Sequence, residues 1–113
     1  MRKMIETEWS KQEKEIARRA FSAAYERECI SIAHEALKMM AEINEPSNIW
    51  EIHDCLTEKR KETDQKYDFR YSVLLFVFAR LICEGWVREE DLDGLSGKKL
   101  QEIRRIVELI SGI

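Results

Sequence analysis

Two histidines and three cysteines are the side chains of this 113-residue chain with the widest chemical repertoire, and their spacing bounds what they can do. His53 directly precedes Asp54, which invites a general-base reading. Neighbours on a helix project about 100° apart, so the spacing predicts no hydrogen-bonded dyad if this segment is helical. His34 has no thiol or carboxylate at a metal-ligand spacing such as H-x-x-x-H and reads as a surface histidine. Cys29, Cys55 and Cys83 are odd in number and far apart, which fits neither a disulfide framework nor a zinc site. They read as reduced thiols of a cytosolic protein. No glycine-rich phosphate loop and no serine in a nucleophile-elbow context occurs. The expectation is a protein with no catalytic site, no metal and no cofactor, which acts by binding another protein.

The residues best suited to binding lie between 49 and 60. At about 100° per residue, Ile49, Ile52 and Leu56 form one apolar stripe, and Trp50, His53, Asp54, Thr57 and Arg60 fan out along its flank. Spacing alone leaves open that Trp50 packs into the core among salt-bridged neighbours. Its type, and that of Arg60, are those enriched at binding hot spots. The basic pairs Arg18-Arg19, Lys59-Arg60-Lys61, Lys98-Lys99 and Arg104-Arg105 each have acidic residues close by, and read as solvated helix faces instead of a nucleic-acid footprint. The 19 Lys+Arg against 22 Asp+Glu leave a net charge of −3, too little to steer the chain to nucleic acid or an anionic membrane.

These residues need helices to position them. Ser10-Lys11-Gln12-Glu13 has the spacing of a capping box, and no Gly or Pro follows until Pro46. Ile30, Ala33, Leu37 and Met40 recur on one face of that run. At 1.5 Å per residue the run reaches roughly 50 Å, longer than one modest core can cover, so a second copy is expected to cover the overhang. Pro46 breaks the helix, Ser47 is positioned to cap the next, and a second helix is predicted from about 48 to 64. A bend at 66–68 precedes an apolar helix from Tyr71 to Cys83, followed by a C-cap at Gly85, a short turn at 88–92 and a last helix behind Ser96. Leu100, Ile103, Val107 and Ile110 share one face of that helix. The predicted fold is all-α: a long arm of two helices over about 10–64 and a compact helical head over about 66–113. Two such chains are expected to pair as a homodimer with Ile30, Ala33, Leu37, Ile52 and Leu56 at the seam. Met1-Arg2-Lys3-Met4 leads into acidic residues, and the longest apolar run ends at Arg80, so neither an export signal nor a membrane span is expected.

Ile49-Trp50-Glu51-Ile52-His53-Asp54 with Arg60, Lys66-Tyr67-Asp68-Phe69-Arg70-Tyr71-Ser72-Val73, Phe76-Val77-Phe78-Ala79 and Glu84-Gly85 resemble the fluorescence recovery protein family of cyanobacteria. Ala20-Phe21 and Ala24-Tyr25-Glu26-Arg27-Glu28 fit it too, and the resemblance runs from Trp9 to about Gly97. It implies a non-enzymatic, antiparallel helical dimer that binds the C-terminal domain of photoactivated orange carotenoid protein, promotes its release from the phycobilisome, and speeds its return from red to orange. It implies a cytoplasmic protein that meets the thylakoid through its partner. It places Trp50, His53, Asp54 and Arg60 in a functional patch near the dimer seam, Ile49 in the seam, and Phe76 on the head surface that meets the carotenoid protein. The chain departs from the family pattern at Cys55 (usually Phe), Lys61 (usually His), Thr63-Asp64-Gln65 (Ile-Asp-Gly) and Glu102, where a basic residue is expected with Lys99 and Arg104 nearby. The departures support a second reading: the same dimer in a bacterium without the carotenoid protein, acting on another partner.

Overall fold

The computed structural model describes residues 8–112, and the amino-terminal segment read above for an export signal lies largely outside them. Among the described residues four α-helices carry the fold: α1 Lys11–Ala41, α2 Ser47–Lys66, α3 Leu74–Cys83 and α4 Gly97–Ser111, with a 3-10 turn at Glu89–Leu92. No strand is present among the described residues.

The 31 residues of α1 make a rod about 46 Å long. Its start is the expected capping box: Ser10 Oγ accepts from the Glu13 N–H at 3.0 Å, and Glu13 Oε1 accepts from the Ser10 N–H at 3.0 Å. Only its first half is buried, through Ile16, Ala17, Ala20 and Ala24, whose small side chains join the head core. Beyond Ala24 it runs out of the head, and α2 folds back along it.

The turn between them corrects one expectation. Ser47 does not cap α2; its hydroxyl donates to Glu45 Oε1 at 2.9 Å, and Ser47 is already the first helical residue. Asn48 ties the turn instead, its Oδ1 accepting from the N–H groups of Asn44 and Glu45 at 3.0 and 3.2 Å. At its other end α2 runs past Asp64 to Lys66. The apolar helix α3 then starts at Leu74, not Tyr71. Tyr67, Phe69 and Tyr71 alternate along the intervening segment and reach back to α1 and the residues just before it: Phe21 meets Tyr67 and Phe69 edge-on at 5.4 and 4.9 Å, and Trp9, ahead of the Ser10 cap, meets Tyr71 at 5.3 Å. This aromatic seam holds Tyr71 out of the helix.

In the head, α3 buries Leu74, Leu75, Val77, Phe78, Ala79 and Leu81, and α4 packs against it through Ile103, with Leu100 and Val107 partly buried. The apolar surface of α3 is not closed on every side, because Phe76 and Arg80 face outward. The helix ends at Gly85, φ +87°, where Trp86 N–H donates to Leu81 O and Gly85 N–H to Ile82 O, the paired bonds of a Schellman motif. Ser96 Oγ accepts from the Lys99 N–H at 3.2 Å and starts α4, whose last apolar position, Ile110, lies beyond the core and is exposed. Lys99 itself is buried, contrary to its reading as part of a solvated basic pair. Its ammonium donates to Glu8 O at 2.6 Å and Glu13 Oε1 at 3.2 Å.

Candidate functional site

Trp50 stands on the first turn of α2, the end farthest from the head, and is 65% exposed. That exposure settles the choice left open by spacing: the indole is no part of the core. His53, one turn on, meets it edge-on with ring centroids 6.2 Å apart. His53 Nδ1 lies 3.4 Å from Asp54 Oδ1, so adjacency on the helix does not keep the two apart as expected. The contact is long and both groups are open to water, which makes it a weak surface pairing. Thr57 Oγ1 donates to His53 O at 2.9 Å. Arg60 lies on the same flank nearly three turns further along and approaches Asp64 at 3.7 Å. Trp50, His53 and Asp54 thus form one cluster, and Arg60 a separate charge roughly 9 Å beyond Asp54 along the helix axis.

Beside this flank, Ile49, Leu56, Ile30 and Leu37 are exposed, as are Ala33 and Met40. Ile52, on the same stripe by spacing, is 4% exposed and already covered within the α1–α2 hairpin. The groove lined by Ile32, Met39, Cys55, Leu56 and Trp86 encloses about 180 Å³, below the ~300 Å³ of small-molecule sites. No group of His, Cys, Asp and Glu among the described residues is arranged to hold a metal, the three cysteines are free thiols, and no described helix is long and apolar enough to cross a membrane.

A buried ionic joint, not anticipated from the sequence, fixes the arm to the head. Lys66, at the end of α2, donates to Glu28 Oε2 of α1 at 2.7 Å and Glu84 Oε1 at the end of α3 at 2.6 Å. Tyr67 Oη donates to Glu28 Oε1 at 2.8 Å, and Arg80 Nε to Glu84 Oε2 at 3.2 Å. Burial and then the bond to Glu28 push the Tyr67 phenol far above its ordinary value. Burial opposes ionisation of Glu84, but Lys66 and Arg80 outweigh it and hold its carboxyl below the usual range. Nearby, Arg27 donates to Trp86 O at 2.8 Å and Asp91 Oδ2 at 3.1 Å, pinning the 3-10 turn to α1. One signal was available: Lys66 precedes an aromatic-rich stretch, where a long cationic side chain can be covered.

The model of the "Photoprotection regulator fluorescence recovery protein" family matches residues 9–107, nearly all of the arm and head. The chain belongs to the fluorescence recovery protein family. It is 37% identical over 109 residues to the fluorescence recovery protein of Synechocystis sp. (strain ATCC 27184 / PCC 6803 / Kazusa), covering 96% of this chain and all of that one. The solved fluorescence recovery protein of Fremyella diplosiphon is 43% identical with a TM-score of 0.82, over 88% of this chain and 97% of its own. That of Synechocystis sp. PCC 6803 is 37% identical with a TM-score of 0.84, over 89% and 99%. The protein is therefore a photoprotection regulator of the fluorescence recovery type, and the family is a regulatory one.

Within the family frame the head surface is informative. Phe76 is 52% exposed on α3. Glu102 is held by Arg105 in two bonds of 3.1 and 2.6 Å, first through that hydrogen bonding, and its carboxyl sits below its ordinary pKa. Lys99 cannot substitute for a basic contact there, because it is sealed against Glu13. Arg104 is exposed, 3.5 Å from Glu89.

Proposed function

We propose that the chain works as a homodimer, without catalytic chemistry of its own, that binds the C-terminal domain of photoactivated orange carotenoid protein, speeds its red-to-orange return and promotes its release from phycobilisomes. The observation that carries this reading is the exposed Trp50–His53–Asp54 cluster, on a family member whose arm also exposes an apolar stripe. A large aromatic left in water at the tip of a rigid arm forgoes about 2 kcal/mol of burial, which a partner contact would recover. Acceleration needs no reacting side chain: a binder that holds the returning intermediate more tightly than the red form lowers the barrier between red and orange. The site of action is the cytoplasmic face of the thylakoid, reached through the partner.

A second reading keeps the dimer and changes the partner. It is favoured by Glu102, which puts a carboxylate where the resemblance calls for a cation. Dark recovery after photoconversion separates the two. Under the first reading, sub-stoichiometric protein shortens the recovery time of orange carotenoid protein and forms a complex on size exclusion, and Phe76→Asp weakens both by placing a charge in an apolar contact. Recovery unchanged at large molar excess, with no complex, rejects the carotenoid protein as partner and leaves the Trp50 cluster to be matched to another protein.

A further inference from the structure

The basic side chains of α2, α3 and α4 mostly stand in ion pairs with carboxylates. Among the described residues, no such pair engages Lys11, Lys14, Arg18 or Arg19 of α1. At about 100° per residue the four fall within roughly 140° of one helix face, and they line one shallow depression together with Glu15 and Tyr71. Two of them are seated on rings instead of carboxylates. The Arg18 guanidinium lies 4.2 Å over Phe69, and the Lys14 ammonium 5.5 Å over Tyr71. Aromatic seating restrains the side chains without a carboxylate partner among the described residues, so less ordering is needed when an anion arrives.

The stacks of Arg18 and Lys14 serve the fold, but helix electrostatics do not account for the cations at the start of α1. Lys11 and Lys14 stand in the first turns of α1, where the positive end of the helix dipole disfavours cations. Glu13, the only acid in the first turn, faces inward and is taken up by Ser10, Ser96 and Lys99. Lys11, and Lys14 just beyond the first turn, therefore work against the helix that carries them, in a chain whose net charge is −3.

We propose that this head-proximal face of α1 is a second interaction surface, which docks the acidic surface of a protein. Complementary carboxylates supply the attraction and the steering. Glu15, in the midst of the four cations, argues for a protein over a nucleic acid or an anionic bilayer: a phosphate array would repel it, whereas a protein surface can set a cation opposite. The surface is set apart from the Trp50 cluster by most of α1, about 40 Å of helix, and it requires nothing of the carotenoid protein.

The test uses the whole isotope-labelled protein titrated with a short poly-glutamate peptide at low salt and followed by amide chemical shifts. Shifts should cluster on residues 11–22 and 69–71. Lys11→Glu/Lys14→Glu/Arg19→Glu should raise the apparent Kd roughly tenfold or more, and raised salt should erase the difference. Arg18 is left in place because of its stack on Phe69. Lys11→Gln/Lys14→Gln/Arg19→Gln, which only removes charge, should fall between the two and keeps the test decisive if the reversed variant fails to fold. Shifts spread equally over Lys59 and Lys98, or a neutral variant that binds as tightly as wild type, overturn the proposal. Tighter, Lys11/Lys14/Arg19-dependent binding to phosphatidylglycerol vesicles or duplex DNA than to the peptide overturns the assignment to a protein.

Discussion

Trp50 and Lys99 sit in the reverse of their usual environments: the indole is in water and the ammonium is buried. Trp50→Ala should accordingly leave the midpoint of urea unfolding within about 0.5 kcal/mol of wild type, while weakening partner binding by about 2 kcal/mol or more. Lys99→Met should do the opposite. It leaves Glu13 with the Ser10 and Ser96 N–H groups but without its cation, which should cost about 2–3 kcal/mol of stability with partner binding retained in the folded fraction. Acid should act through the same groups. Burial works against ionisation of Glu13, Glu84 and Asp91, but their hydrogen bonds and cations win and depress all three. A depressed carboxylate contributes stability above its unfolded pKa and loses it as pH falls through the folded value. Denaturant midpoints should therefore be flat near neutrality and decline below about pH 4.5, the ordinary glutamate value; a midpoint that holds constant down to pH 3 would refute this. Trp50, His53 and Asp54 could be placed on one flank from spacing alone, because helical pitch fixes azimuth. Lys66 and Lys99 could not be read as buried, because their carboxylate partners, Glu28 and Glu13, are far away in sequence and meet them only in the folded chain.

At the scale of elements, what the sequence made legible were the features with local causes. The Ser10–Glu13 box, the Gly85 terminus and the Ser96 cap each depend on residues within one turn, and each occurs as read. Two elements were misread: Tyr71 is drawn out of α3 by its tertiary contact with Trp9, and α2 has no side-chain cap, because Ser47 turns to Glu45 and Asn48 braces the turn that precedes the helix. Gly94 shows the same coupling. Its φ of +107° is costly for any other residue, and a Cβ there would strike the Cδ1 of Ile16, a buried residue of α1. Gly94→Ala should cost about 2 kcal/mol or more in unfolding free energy, whereas Gly97→Ala, with open space around its Cβ position, should be neutral or slightly stabilising. Equal effects of the two substitutions would show that the 3-10 turn is not pressed against α1.

The whole molecule is drawn out to 59 × 28 × 21 Å with a radius of gyration of 17.2 Å, against about 13 Å for a compact chain of this length. The excess is the arm. Ile30, Leu37, Met40, Ile49 and Leu56 are exposed along it, and a monomer would leave that apolar surface in water. An antiparallel second copy would cover it with an identical stripe, and the two-fold symmetry would place each seam residue in the interface twice. Ile49→Glu therefore introduces two charges per dimer. An unpaired buried charge costs several kcal/mol, so the variant should run as a folded monomer at ~10 µM, where wild type should run as a dimer. Leu109→Glu is the control, since Leu109 is 66% exposed on α4 of the head and outside the arm. It should leave the mass unchanged. Light scattering coupled to size exclusion, with helicity checked by circular dichroism, reads all three proteins. A monomeric wild type, or an Ile49→Glu variant that stays dimeric, would place the seam elsewhere and leave the arm's apolar stripe as a surface for the partner alone.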